Sequence, residues 1–89
     1  MPSYSFSNAA HADLKDITSY TLKSWGAAQT TTYLDGLDAT LEKLAQNPKL
    51  GKSCDDLAAG LHAFQYQKHV IYYLEQQTNI VIARVLHGE

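Results

Sequence analysis

Near its end the chain reads ARVLHGE, residues 83 to 89, which holds the only arginine, Arg84, and the last of four histidines, His87. A guanidinium can steady phosphate charge and an imidazole can act as acid or base, so such a pair is able in principle to cut a phosphodiester. Side chains along a strand alternate faces, however, and residues three apart point to opposite sides. In a regular strand Ile80, Ile82, Arg84 and Leu86 share one face, and Val81, Ala83, Val85 and His87 the other. Only a bulge or a strand end just before His87 would bring the two polar groups together. We favour a strand end carrying two snorkelling or surface polar groups over a catalytic pair.

The remaining candidates are weaker. His11 sits among acidic neighbours in a helical stretch and is expected to be solvated. His62 and His69 are separated by a turn at Gln67-Lys68, which makes their spacing uninformative. A metal site needs three or four converging ligands. The chain has no HExxH and no CxxC, and Asp13 and Asp16 read as ordinary acids of a first helical turn. Asp55 and Asp56 read as acids favouring a helix N-terminus. Cys54 reads as a small half-buried residue with no histidine at a fixed spacing to activate it. No cofactor and no metal are expected. Trp25, just before Gly26, is expected to plug the end of a helical core. Tyr66, Tyr72 and Tyr73 fit an interface as well as they fit strand formation.

These residues must be positioned by a short series of elements. MPSYSFS alternates, with Tyr4 and Phe6 on one face, and predicts a half-buried strand. Ser7 or Asn8 caps a helix whose stripe is Ala10, Leu14, Ile17, Thr21 and Trp25, and Gly26 stops it. A second helix follows at once, with Thr30, Tyr33, Leu34, Leu37, Leu41, Leu44 and Ala45 on its apolar face. Asn47-Pro48 ends it, because the residue before proline disfavours helical geometry. One glycine between two helical patterns predicts an antiparallel helical hairpin. PKLGKSCDDLAAG reads as a loop with one helical turn at Cys54 to Ala58. LHAFQYQ, HVIYYL and NIVIARVLH then read as three strands, with EQQT as a hairpin loop. The second and third are apolar on both faces, which predicts central, covered strands. The expected fold is α+β in the order β-α-α-β-β-β, an antiparallel sheet with the helical hairpin packed on one face.

At 89 residues a single domain, 1–89, is expected, and one this small gains from a stable partner. Hydrophobic residues make up 45% and charged residues 18%, which argues against disorder. The formal charge is -2, and six lysines are scattered without a run. Direct nucleic-acid binding by this chain alone is therefore not expected. One cysteine forbids an internal disulfide and suits a reducing cytoplasm. No signal peptide is evident, no apolar run approaches membrane-spanning length, and no membrane association is expected.

Four stretches, in order, resemble the ParE branch of the RelE/ParE toxin–antitoxin superfamily: AHADLKDITSYTLKSWG, YLDGLDATLEKLAQNPKLGKSCDDLAAGL, KHVIYY and IARVLH. The resemblance runs from about Phe6 to His87 and implies the same fold. It also implies a bacterial toxin that binds DNA gyrase and blocks replication without catalysis of its own, so not an enzyme. The implied partner is a ParD-like antitoxin that neutralises it in a hetero-oligomer. Lys68, Arg84 and His87 are the implied target-binding surface. The alternative is the RelE branch, a ribosome-dependent mRNA endonuclease in which Arg84 would steady phosphate charge and His87 would act as acid or base. Two features point away from that branch: the acidic balance, and Gly88-Glu89 where a tyrosine can follow in nucleases. Two others depart from ParE: His62 stands where an arginine is usual, and members usually carry a short tail beyond the RVLH segment. A repurposed module that keeps only the fold is a third possibility, favoured if expression without antitoxin causes no growth arrest.

Overall fold

The structure, a computed structural model, describes residues 3–88. The chain runs β1 (Ser3–Phe6), α1 (Asn8–Trp25), α2 (Ala27–Gln46), a 3-10 turn at Pro48–Leu50, β2 (Lys52–Ser53), β3 (Leu61–Tyr66), β4 (His69–Glu75) and β5 (Asn79–His87). The expected order holds, with the two-residue strand β2 added from the loop.

Ser7 caps α1 through its hydroxyl, which accepts from the Ala10 N–H at 3.0 Å. Gly26 joins the helices at φ 88°, a conformation that side-chain-bearing residues avoid, so one residue suffices to reverse the chain. Gly36, inside α2, lets the Tyr66 ring approach the helix backbone where any Cβ would collide with it. The Tyr66 hydroxyl then donates to the Tyr33 carbonyl at 2.8 Å.

The strands form one sheet in the order β1-β5-β4-β3-β2. The β2–β3, β3–β4 and β4–β5 pairs are antiparallel, whereas β1 lies parallel to β5. The sheet is thus mixed, where an antiparallel one was expected. Alternation of Tyr4 and Phe6 fixes which face a strand buries but carries no information on the direction of its neighbour. With β3 flanked by β4 and β2, the outer edge of β5 receives β1.

The core lies between helices and sheet: Ala10, Leu37, Leu41, Leu44, Ala45, Ile71, Tyr73, Ile80, Ile82 and Val85. Each large apolar side chain so buried contributes about 1.5–3 kcal/mol relative to exposure. Tyr73 is fully buried, and its hydroxyl donates to the Pro48 carbonyl at 2.8 Å and accepts from the Gly51 N–H at 2.9 Å. His62, also buried, stacks on the Tyr73 ring, with centroids 5.3 Å apart.

Two further expectations are corrected. β4 and β5 are central, but their second face is not covered. Val70, Tyr72, Leu74 and Val81 are only partly buried and Leu86 is exposed. Trp25 plugs nothing and is 69% exposed, because α1 ends before the hairpin core begins at Thr30. The expected single turn at Cys54 to Ala58 is present, with the Cys54 carbonyl accepting from the Leu57 and Ala58 N–H groups at 2.9 and 3.2 Å, and the Asp55 carboxylate accepts from the Gly60 N–H at 2.9 Å.

Candidate functional site

The polar end of β5 is shaped by one extra residue. Tyr72 pairs with Arg84 and Tyr73 with Ile82, so Ala83 is a bulge. The bulge resets the alternation: Ile80, Ile82, Val85 and His87 face the helices. It lies upstream of Arg84, so Arg84 and His87 remain on opposite sides. The structure does not bring these two expected site residues together.

Arg84 is held instead by α1. Its Nε donates to Asp13 Oδ2 at 2.8 Å and its second nitrogen to Oδ1 at 2.9 Å. Such a two-pronged pair fixes orientation as well as charge. Asp13 Oδ2 also accepts the Val85 N–H at 3.0 Å. β1 ends at Phe6, opposite Ile82, and beyond it the β5 edge is satisfied by Ser7 and Asp13. Asp13 lies outside the first turn of α1 and serves as a substitute strand partner. The Arg84 hydrogen bonds hold its carboxyl below the usual carboxylate range. No sequence signal links two residues 71 positions apart.

Lys68 and His87 line the same cleft. The two-residue turn Gln67-Lys68, with Gln67 at φ 55°, returns the chain so that His69 pairs directly across from His87. Their rings lie edge to face with centroids 5.7 Å apart. His69 Nδ1 is 2.8 Å from the Tyr33 hydroxyl. Burial, and secondarily the neighbouring His87, push the His69 pKa down from 6.5. Burial pushes the Tyr33 hydroxyl up to about 12.

These groups form one wall of a cleft of about 690 Å³. Ile17, Tyr20 and Trp25 of α1 line it, as does Gln29 of α2, and Asp16 supplies its carboxylate. Tyr20 and Trp25 are 67% and 69% exposed, so the aromatic wall faces solvent. A smaller depression of about 370 Å³ lies at the other end of β4 and β5. Its only titratable group is Glu75 and it has no aromatic ring, so it offers little to recognise a partner. Sequence reasoning weighed His69 and set it aside, read Tyr33 only as part of an apolar helix face, and missed Tyr20. The turn at Gln67-Lys68 was visible, but the pairing of His69 with His87 needs the β4–β5 register. Among the described residues no three His, Cys, Asp or Glu side chains converge on a metal-sized point, and no helix is long and apolar enough to cross a membrane.

Two helices packed on a five-stranded mixed sheet are a fold shared with a solved structure. A chain from a solved structure of the chromosomal ParDE system of P. aeruginosa superposes with a TM-score of 0.79. It is 18% identical, and the match covers 100% of this chain and 98% of that one. Toxin ParE1 of Caulobacter vibrioides is 37% identical over 87 residues, 98% of this chain and 90% of the relative. Toxin ParE1 of Mycobacterium tuberculosis is 33% identical over 85 residues, 94% of this chain and 87% of the relative. The family model for the ParE toxin of the type II toxin–antitoxin system parDE matches residues 4–89. The chain belongs to the ParE toxin family.

Proposed function

We propose that this toxin inhibits DNA gyrase, and so replication, by protein–protein binding without catalysis of its own. In the same reading it acts in the bacterial cytoplasm and is neutralised by a ParD-like antitoxin in a hetero-oligomer. The observation that carries the mechanism is the capture of Arg84 by Asp13. It withdraws the one guanidinium from the imidazole it would need for cutting a phosphodiester. Arg84 then works through the position of β5, while Lys68 and His87 offer free contacts at the cleft.

Two surfaces suit the antitoxin. One is the uncovered apolar face of the sheet. The other is the edge of β3, which β2 pairs only at His62 and Ala63, leaving Phe64 to Tyr66 without a neighbour among the described residues. An added strand would satisfy that edge. The partner's family is supported by the parDE family match and the ParDE neighbour. Gyrase as target is supported by the sequence resemblance. Inhibition requires preferential binding to one gyrase state, since equal binding shifts nothing.

Supercoiling by purified gyrase tests the proposal. Wild-type toxin is expected to inhibit it, and the double variant Lys68→Ala, His87→Ala to need at least about tenfold more protein. Full supercoiling at large toxin excess removes gyrase as the target. The convergence of Lys68, His69 and His87 favours one second reading, ribosome-dependent mRNA cleavage, with Lys68 in the place of Arg84. Site-specific mRNA cleavage in a translation extract, lost in His87→Ala, would replace the first reading; intact message discards the second.

A further inference from the structure

The end of β5 is held from one side only. β1 pairs with β5 no further than Ile82, and Asp13 takes the Val85 N–H. Beyond Val85, among the described residues, β4 and its turn alone hold the chain. Val70 pairs with Leu86, His69 pairs with His87, and the Gly88 N–H donates to the Lys68 carbonyl at 2.8 Å. The His69 and His87 rings meet edge to face at this junction, with centroids 5.7 Å apart. Neutral rings pack in that arrangement. Two imidazolium rings at the same spacing repel, so the pair takes up its protons in two separate steps.

The surroundings do little to shelter a second charge. α2 presents the Tyr33 hydroxyl, 2.8 Å from His69 Nδ1, and its pKa, pushed up to about 12, keeps it neutral. β3 presents Tyr66, paired across from His69 and also a neutral phenol. Lys68 adds positive charge from the turn, and α1 contributes Tyr20 and the exposed carboxylate of Asp16. Their sum is against charge on His69: burial first, then His87.

We propose that His69 and His87 form a proton-sensitive latch: when both rings are protonated, Leu86 to Gly88 swing off β4 while Ile80 to Val85 stay in place. The anchored stretch keeps β1, Asp13 and the core as partners, whereas the tip has only the strand that now repels it. Opening takes His87 off the wall of the cleft and leaves Lys68 there. The latch does not depend on what the cleft binds, and its test uses no partner protein.

NMR of the whole chain, with pH lowered from about 7.5 to about 4.5, reads imidazole and backbone amide signals together. The amides of Leu86, His87 and Gly88 are expected to move to unstructured positions in the second proton step, with those of Ile80 to Val85 unchanged. His87→Gln, at an exposed strand end, is expected to keep the fold and remove one of the two charges. In that variant the His69 midpoint should rise by about half a unit or more, and the tip should stay paired throughout. An unchanged His69 midpoint overturns the latch, because the rings then titrate independently. So does a tip that opens as readily in His87→Gln, or one that stays ordered in wild type through both steps. Loss of every amide signal in one step overturns it too, since acid would then unfold the whole chain instead of releasing its end.

Discussion

Arg84 and His87 stand three residues apart on one strand and live in opposite circumstances. Arg84 is clamped by a carboxylate whose side chain is only 13% exposed. His87 is exposed and touches its strand partner His69 at the mouth of an open cleft. The anchored part of β5, from Ile80 to Val85, is part of the folding machinery. The tip beyond it is free to meet something else. Polar residues in one short motif therefore need not share one task, and partners supplied by distant segments decide which task each has.

The contrast breaks most visibly in the core. Ile82→Ala, at a fully buried position, is expected to cost about 2–5 kcal/mol in urea unfolding. Asp13→Ala comes next. It strands the partly buried Val85 N–H and frees Arg84, and about 1–3 kcal/mol of stability should go with it. A loss near zero would mean that water replaces the carboxylate and that the anchor is ornamental.

Acid sharpens the contrast further. The Asp13 carboxyl is lowered in the folded state, so its contribution is present above the ordinary value of 3.8 and fades as pH falls through the lower folded value. Asp13→Asn should lose that acid-dependent share in pH-jump unfolding. His69 also has a lowered folded pKa, so the unfolded chain binds its proton first. Stability is full above 6.5 and declines as pH drops through 6.5 toward the folded value. His69→Gln should flatten the curve there. The smallest effect belongs to the tip: His87→Ala is expected to change stability by no more than about 0.5 kcal/mol. A larger change would place His87 among the structural residues.

Much of the fold could be read from the residues because it rests on local periodicity. The Leu37, Leu41, Leu44 stripe, the Ser7 cap and the Gly26 stop concern neighbours within a few residues, and the structure has each of them. The parallel β1–β5 pair, the open second face of β4 and the exposure of Trp25 depend on which elements lie side by side. The apolar pattern of a strand does not specify that. The site was half legible for the same reason. Lys68 and His87 converge because of a turn that was visible, whereas the Arg84–Asp13 clamp spans almost the whole chain. His69 became a site residue only once β4 and β5 were set in register.

The spare residue in β5 has an evolutionary corollary. Without Ala83 the strand would alternate regularly, with Ile80, Ile82, Val85 and His87 still turned toward the helices. The fold's inside-outside pattern would survive its deletion. What would go is a fastening: the Ser7 hydroxyl donates to the Ala83 carbonyl at 2.8 Å, and the same Ser7 hydroxyl oxygen accepts the Ala10 N–H that begins the first helix. A descendant that dropped this codon should still fold, with Ser7 held to the last strand by its own N–H, which donates to the Ile82 carbonyl at 3.0 Å.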